Sequence, residues 1–188
     1  MLTRLRQAIS PFVAKMGTVF GGVVPSPNFW TLLGLLFSLF AAFFFSVHQS
    51  RPGALLVLAS GFMDVVDGAV ARATGKVSKR GGFLDSNMDR VGESALYLGL
   101  MFTQGFYSFL SGLALASSLL VSYSRSRAEA AGLKAEGVGV GERAERLLIL
   151  SVGGFIGGPY LYYAVGLVAV VAILTFLQRI YVYGSRLE

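Results

Sequence analysis

Asp64-Val65-Val66-Asp67-Gly68-Ala69-Val70-Ala71-Arg72 closes one strongly apolar segment, and Gly81-Gly82-Phe83-Leu84-Asp85-Ser86-Asn87-Met88-Asp89 opens the next. Every aspartate of the chain lies in these two stretches. Asp64 and Asp67 stand three apart, Asp85 and Asp89 four apart, so each pair shares one face of one helix. Carboxylates gathered this way in a hydrophobic protein repel one another strongly unless protons or cations intervene. Two divalent ions held between the two helices would cancel that charge. An all-carboxylate ligand set suits Mg²⁺, Mn²⁺ or Ca²⁺ rather than zinc or copper, and paired hard ions are a recurrent device for displacement at phosphorus.

The composition places this cluster in lipid. Of 188 residues, 54% are hydrophobic and 14% charged, against about 25% charged in a soluble domain. The length predicts one membrane domain over 1–188, with 1–24 as a juxtamembrane amphipathic helix and 25–188 as a six-helix bundle. Cysteine is absent, which excludes disulfides and thiolate metal sites. His48, the only histidine, ends an apolar run and reads as an interfacial polar residue. No nucleic-acid partner is expected.

Outward from the aspartates, apolar segments of spanning length recur. They cover about 31–47, 54–73, 83–106, 109–130, 142–157 and 160–183, with turns expected at Arg51-Pro52-Gly53, near 105–108 and at Gly157-Gly158-Pro159. With the N-terminus inside, only Arg51 of the 16 basic residues lies on the outer side. That bias predicts six spans, both termini cytoplasmic and a multi-pass protein of the cell membrane, with the aspartates near the cytoplasmic face. The N-terminal stretch does not read as a cleavable signal, because Pro11, Lys15 and glycines interrupt its apolar core. Leu2, Leu5, Ile9, Phe12, Val13, Met16 and Phe20 recur at helical spacing instead, with Arg4, Arg6 and Lys15 elsewhere, as in a helix lying in the interface plane.

The stretch from Asp64 to Asp89 resembles, at every fixed position, the signature of the CDP-alcohol phosphotransferase family, D-x2-D-G-x2-A-R-x8-G-x3-D-x3-D. The six-span plan extends the resemblance over nearly the whole chain. It implies transfer of a phosphatidyl-type group from a CDP-linked lipid to an alcohol, with release of CMP. Asp64, Asp67 and Asp85 would hold two Mg²⁺ or Mn²⁺ ions. Asp89 would complete the metal site and accept the proton of the attacking hydroxyl. Gly68 and Ala71 lack bulk, so a nucleotide could lie against the helix; small residues also serve tight helix packing. Arg72 offers a fixed cation for a pyrophosphate, while Lys76, Lys79 and Arg80 read as positive-inside anchors. Gly81 would let the chain turn into the next helix. Asn28, Thr31 and Ser78 match positions that border the nucleotide in the family, and with Asp67 they complete the expected CDP-lipid site.

The signature leaves the acceptor open. Ser122-Tyr123-Ser124-Arg125-Ser126-Arg127-Ala128-Glu129 and Gly141-Glu142-Arg143-Ala144-Glu145-Arg146-Leu147 resemble the phosphatidylinositol-phosphate synthase branch and its archaeal counterpart. There the two stretches read S-Y-x-K-A-R-A-E and E-R-x-E-R, and a basic cluster grips the phosphate of inositol phosphate. Carried over, Arg125, Arg146 and Arg179 would bind that phosphate, for which guanidinium forks are suited. The chain departs from the pattern at Arg125 and Ser126 and in its connecting loop. Arg127 and Arg143 are left as structural partners of Glu129, Glu142 or Glu145. The same arginines would also attract anionic lipids. The resemblance further implies a homodimer among membrane lipids, with either diacyl or ether tails on the donor. Two alternatives stay open: a phosphatidylglycerophosphate-type synthase using glycerol 3-phosphate, and a divalent-cation transporter. The transporter lacks an exit path, because 95–102 and 147–155 are nearly all apolar.

Overall fold

The computed structural model describes residues 2–102, 105–135 and 137–187, with side chains from residue 10 onward. Among these residues the chain is all helical: α1 (Leu2–Val23), α2 (Pro27–Ser46), α3 (Ser50–Ala73), α4 (Lys79–Leu100), α5 (Phe106–Ala130), α6 (Arg143–Ile156) and α7 (Pro159–Leu187). Four of them, α2, α3, α5 and α7, are long and apolar enough to cross a membrane. The other two expected spans differ in character. α4 has 22 residues but carries Lys79, Arg80, Asp85, Asp89, Arg90 and Glu93, and α6 has 14 residues.

Two expected boundaries move for identifiable reasons. Arg51-Pro52-Gly53 is the first turn of α3 rather than a loop, since proline at a helix start gives up only an N–H that has no intrahelical partner. The chain reverses just before it, with His48 at φ 60°. α4 starts at Lys79 because Ser78 caps it: Ser78 Oγ accepts from the Gly81 N–H at 3.0 Å. The break at Gly157-Gly158-Pro159 stands as expected, with both glycines at positive φ. Part of the expected third span, 103–104, lies outside the described residues.

The outer faces of α2 and α7 carry large exposed apolar side chains, among them Leu36, Phe40 and Phe43 on the first and Leu174 and Leu177 on the second. Where helices approach most closely the contacts are made by small residues, as in bilayer bundles. A Cβ on Gly99 would run into the Ala42 carbonyl, and one on Gly153 would meet Ala164 and Tyr160. One core joins α2, α3, α4, α6 and α7 through Phe45, Val57, Leu96, Leu150 and Val165. A second, around Met16, Trp30, Met63, Val66 and Val70, seats α1 and α2 on α3. Gly17 of α1 lies against the Ala69 carbonyl so closely that a Cβ would overlap it. α1 therefore packs on α3 through Met16 and Gly17 and leaves Phe12 exposed. Leu2, Leu5, Ile9, Arg4 and Arg6 of the expected amphipathic face lie outside the described side chains.

The start of α2, the second half of α3, the first half of α4 and the start of α6 converge at one end of the bundle.

Candidate metal and nucleotide site

At that end, one carboxylate oxygen each from Asp64, Asp67 and Asp85 lies within 4.8 Å of the other two. Asp67 is buried, and its Oδ2 accepts from Thr31 Oγ1 at 2.6 Å. Asp85 Oδ1 is buried with no hydrogen-bond partner. Buried carboxylate oxygens are rarely left unpaired. A carboxylate with an unpaired buried oxygen, beside two further carboxylates, fits a hard divalent cation such as Mg²⁺ or Mn²⁺.

Asp89 stands outside this triad. Its Oδ1 lies 2.8 Å from Arg143 Nη1 and its Oδ2 lies 3.8 Å from Arg90 Nη2. The same Arg143 nitrogen is 3.5 Å from Asp64 Oδ1. Arg143 therefore pairs with two of the aspartates, not with the glutamates near it in sequence. Glu129 pairs instead with Arg125, at 2.9 Å.

A cavity of about 480 Å³ adjoins the triad. Asn28, Thr31, Asp67, Gly68, Ala71, Arg72, Ser78 and Gly81, the whole expected nucleotide set, line it, and Asp67 and Asp85 form the wall it shares with the triad. Two glycines earn their places by close approach. A Cβ on Gly68 would come within 3.2 Å of Arg72 Nη1, and one on Gly81 within 3.1 Å of Ser78 Oγ. Gly81 is itself helical, so its use is to leave room for the Ser78 cap rather than to turn the chain; the turn falls at Gly75, φ 67°. Lys76, read from sequence as an anchor, also lines the cavity, its Nζ donating to the Pro25 carbonyl at 2.8 Å.

The three arginines expected at the acceptor are differently held. Arg179 is buried on α7, donating from Nε to Val138 O (2.9 Å) and from Nη1 to Val121 O (2.6 Å). One turn to either side, Thr175 accepts from the Gly141 N–H and Tyr183 donates to Ala135 O. These three side chains strap the glycine-rich connection to α7. Arg146 is 1% exposed; Nε and Nη2 donate to Glu93 Oε1 and Nη1 to Gly141 O. Arg125 is half exposed beside Glu129. Arg125, Arg146 and Arg179 stand on α5, α6 and α7, near enough for the charges of the first two to act on the third. Sequence reasoning missed Glu93, whose partner lies 53 residues away, and the placement of Arg143. A glutamate one helical turn beyond Asp89, in an otherwise apolar run, was the available signal.

The model of the CDP-alcohol phosphatidyltransferase family matches residues 24–179. The chain is 35% identical over 188 residues to an archaetidylinositol phosphate synthase from Pyrococcus horikoshii, covering 100% of this chain and 99% of the relative. It is 33% identical over 168 residues to a phosphatidylinositol phosphate synthase from Mycobacteroides abscessus, covering 83% of this chain and 76% of that one. The crystal structure of Mycobacterium tuberculosis phosphatidylinositol phosphate synthase with CDP-DAG bound superposes with a TM-score of 0.80 at 29% identity, over 91% of this chain and 92% of that one. The same protein in complex with manganese and citrate gives a TM-score of 0.81 at 29% identity, over 92% and 89%. The chain belongs to the CDP-alcohol phosphatidyltransferase family and is a transferase.

Proposed function

We propose that this protein transfers the phosphatidyl-type group of a CDP-linked lipid to inositol phosphate, releasing CMP, with two divalent ions held at Asp64, Asp67, Asp85 and Asp89. The observation that carries the reading is the shared wall: Asp67 and Asp85 belong at once to the carboxylate triad and to the cavity lined by the nucleotide-site residues. Mn²⁺ and CDP-DAG, each bound in a separate structure of one solved relative, support it, as does the naming of several relatives as inositol phosphate synthases.

When bound, the ions supply positive charge that offsets the pyrophosphate and favours the alkoxide of a nearby hydroxyl. Thr31 holds Asp67 through a hydrogen bond to Oδ2 and so fixes the carboxylate at the site. Arg72 presents its guanidinium to the pyrophosphate from the cavity wall. Asp89 takes the proton of the acceptor hydroxyl. The acceptor oxygen bonds to the lipid-side phosphorus, the bond from that phosphorus to the bridging oxygen breaks, and CMP leaves with the electron pair. A groove of about 770 Å³ between α1 and α3 runs from Asp64 and Arg72 past Val13, Ala14 and Thr18; it would take the first part of the donor's tails. Arg125 would meet the acceptor phosphate, with Arg146 and Arg179 behind it.

The wider arrangement is part of the proposal: a single domain over 1–188, α2 to α7 as six spans with α1 in the interface, both termini and the site cytoplasmic, and a homodimer. α4 would cross because Asp89, Arg90 and Glu93, the last charges along it, are ion-paired within the bundle.

CMP release from a CDP-linked lipid in detergent, with Mg²⁺ or Mn²⁺ and each acceptor in turn, tests the reading. Release with inositol phosphate and none with free inositol is expected. Release with glycerol 3-phosphate alone would transfer the chain to the phosphatidylglycerophosphate-type reaction. Absence of release with every acceptor would refute the reading.

A further inference from the structure

Arg143 and Arg146 stand one turn apart on α6 and are held in opposite ways. Arg146 donates from all three guanidinium nitrogens to protein acceptors. Arg143 sets one nitrogen, Nη1, against two carboxylates, and its Nε is buried without a partner. An arginine serving as a fixed brace satisfies its fork, as Arg146 does. Arg143 is also the first residue of α6, where the helix dipole disfavours a cation. Its position is explained by the carboxylates it faces and by little else.

Those carboxylates are ones the divalent ions would need. Asp64 Oδ1 belongs to the triad's own residue, and Asp89 Oδ1 is the closer contact. A guanidinium and divalent ions at contact distance from the same oxygens would repel strongly. We propose that Arg143 is a positioning residue that exchanges with the metal: its guanidinium clamps Asp64 to Asp89 and leaves those oxygens as the ions take them. Asp89, released from the guanidinium, is then free to serve the acceptor hydroxyl only when the ions are in place. The clamp also links metal loading to the first turn of α6 and, through Gly141, to the connection strapped on α7. This inference rests on the reading of the aspartates as a divalent-ion site.

Titration of Mn²⁺ with detergent-solubilised protein, reading free Mn²⁺ by electron paramagnetic resonance, tests it without reference to turnover. Arg143→Gln removes the competing cation and is expected to lower the Mn²⁺ Kd about tenfold, as when a closed population is abolished. Arg127→Gln, which removes an equal charge from an exposed position, is expected to change it less than about twofold. Affinity in Arg143→Gln no tighter than wild type, or equal tightening in both variants, would overturn the exchange. A wild-type protein that binds no Mn²⁺ would overturn the metal-site reading itself. A structure of the wild-type protein with Mn²⁺ makes the test independent of how the variant folds. The guanidinium is expected beyond about 4 Å from both carboxylates, outside salt-bridge range; contact retained beside bound ions would refute the proposal.

Discussion

Glu93 Oε1 accepts two hydrogen bonds from Arg146, 2.9 Å from Nε and 2.8 Å from Nη2, with both side chains 1% exposed. The pair ties α4 to α6 one turn beyond Asp89. Removing one partner strands the other as a buried charge, so Glu93→Ala should cost about 3–5 kcal/mol. Thermal unfolding in detergent should show a large drop for the single variant. Recovery of much of it is expected in Glu93→Leu/Arg146→Met, where neither charge remains. A single variant as stable as wild type would contradict the burial of the pair.

Arg146 also separates a brace from an acceptor contact. If its influence reaches the acceptor phosphate, Arg146→Lys should raise the KM for the phosphorylated acceptor more than the KM for the CDP-lipid. Equal changes in both would place Arg146 outside the acceptor site.

Asp89→Asn keeps the shape of the side chain and removes its ability to take a proton. Turnover should fall by about 10²–10⁴-fold, the usual contribution of a general base. CDP-lipid binding, measured by protection against thermal unfolding, should stay close to wild type, because Asp89 does not line the nucleotide cavity. Retained turnover would remove Asp89 from the role of base.

Thr31→Val deletes the hydroxyl that donates to Asp67 while preserving shape. A hydrogen bond to a charged group is worth about 1.5–3 kcal/mol, and its loss frees Asp67 to rotate out of the triad. Weaker Mn²⁺ binding is therefore expected, read by the same titration. An unchanged Mn²⁺ affinity would show that Asp67 is held by other contacts.

Gly68→Ala and Gly99→Ala should fail in different ways. The first places a methyl beside Arg72 and should raise the KM for CDP-lipid with little change in thermal stability. The second drives a methyl into the Ala42 carbonyl at the α2–α4 crossing and should lower stability. Measuring both quantities on both variants distinguishes a glycine kept for ligand access from one kept for packing.

The donor side was legible from sequence because its geometry is local. Three- and four-residue spacings on single helices determine which faces the aspartates, Gly68, Ala71 and Arg72 share, and the packing of both α3 and α4 on α2 brings those faces together. The arginine side was not. Arg146 meets Glu93 and Arg179 meets Val121, contacts across 53 and 58 residues that no local period encodes. Charge patterning alone paired Arg143 with its sequence neighbours, whereas the fold turns the start of α6 toward the aspartates. The Pro52 boundary erred for a different reason. Proline and glycine together resemble a turn, but proline is equally at home in the first turn of a helix.

α3 packs against α1, α2 and α6 along its length and ends as the wall of the nucleotide cavity. Leu55, Leu58, Phe62 and Val65 stay exposed on it, but a change on its other faces disturbs either packing or the cavity wall. The arginine cluster is built on α5, the glycine-rich connection, α6 and α7. Under the proposed assignment, a lineage could exchange one phosphorylated alcohol for another by remodelling that half alone. The inherited half would keep its grip on the cytidine nucleotide throughout.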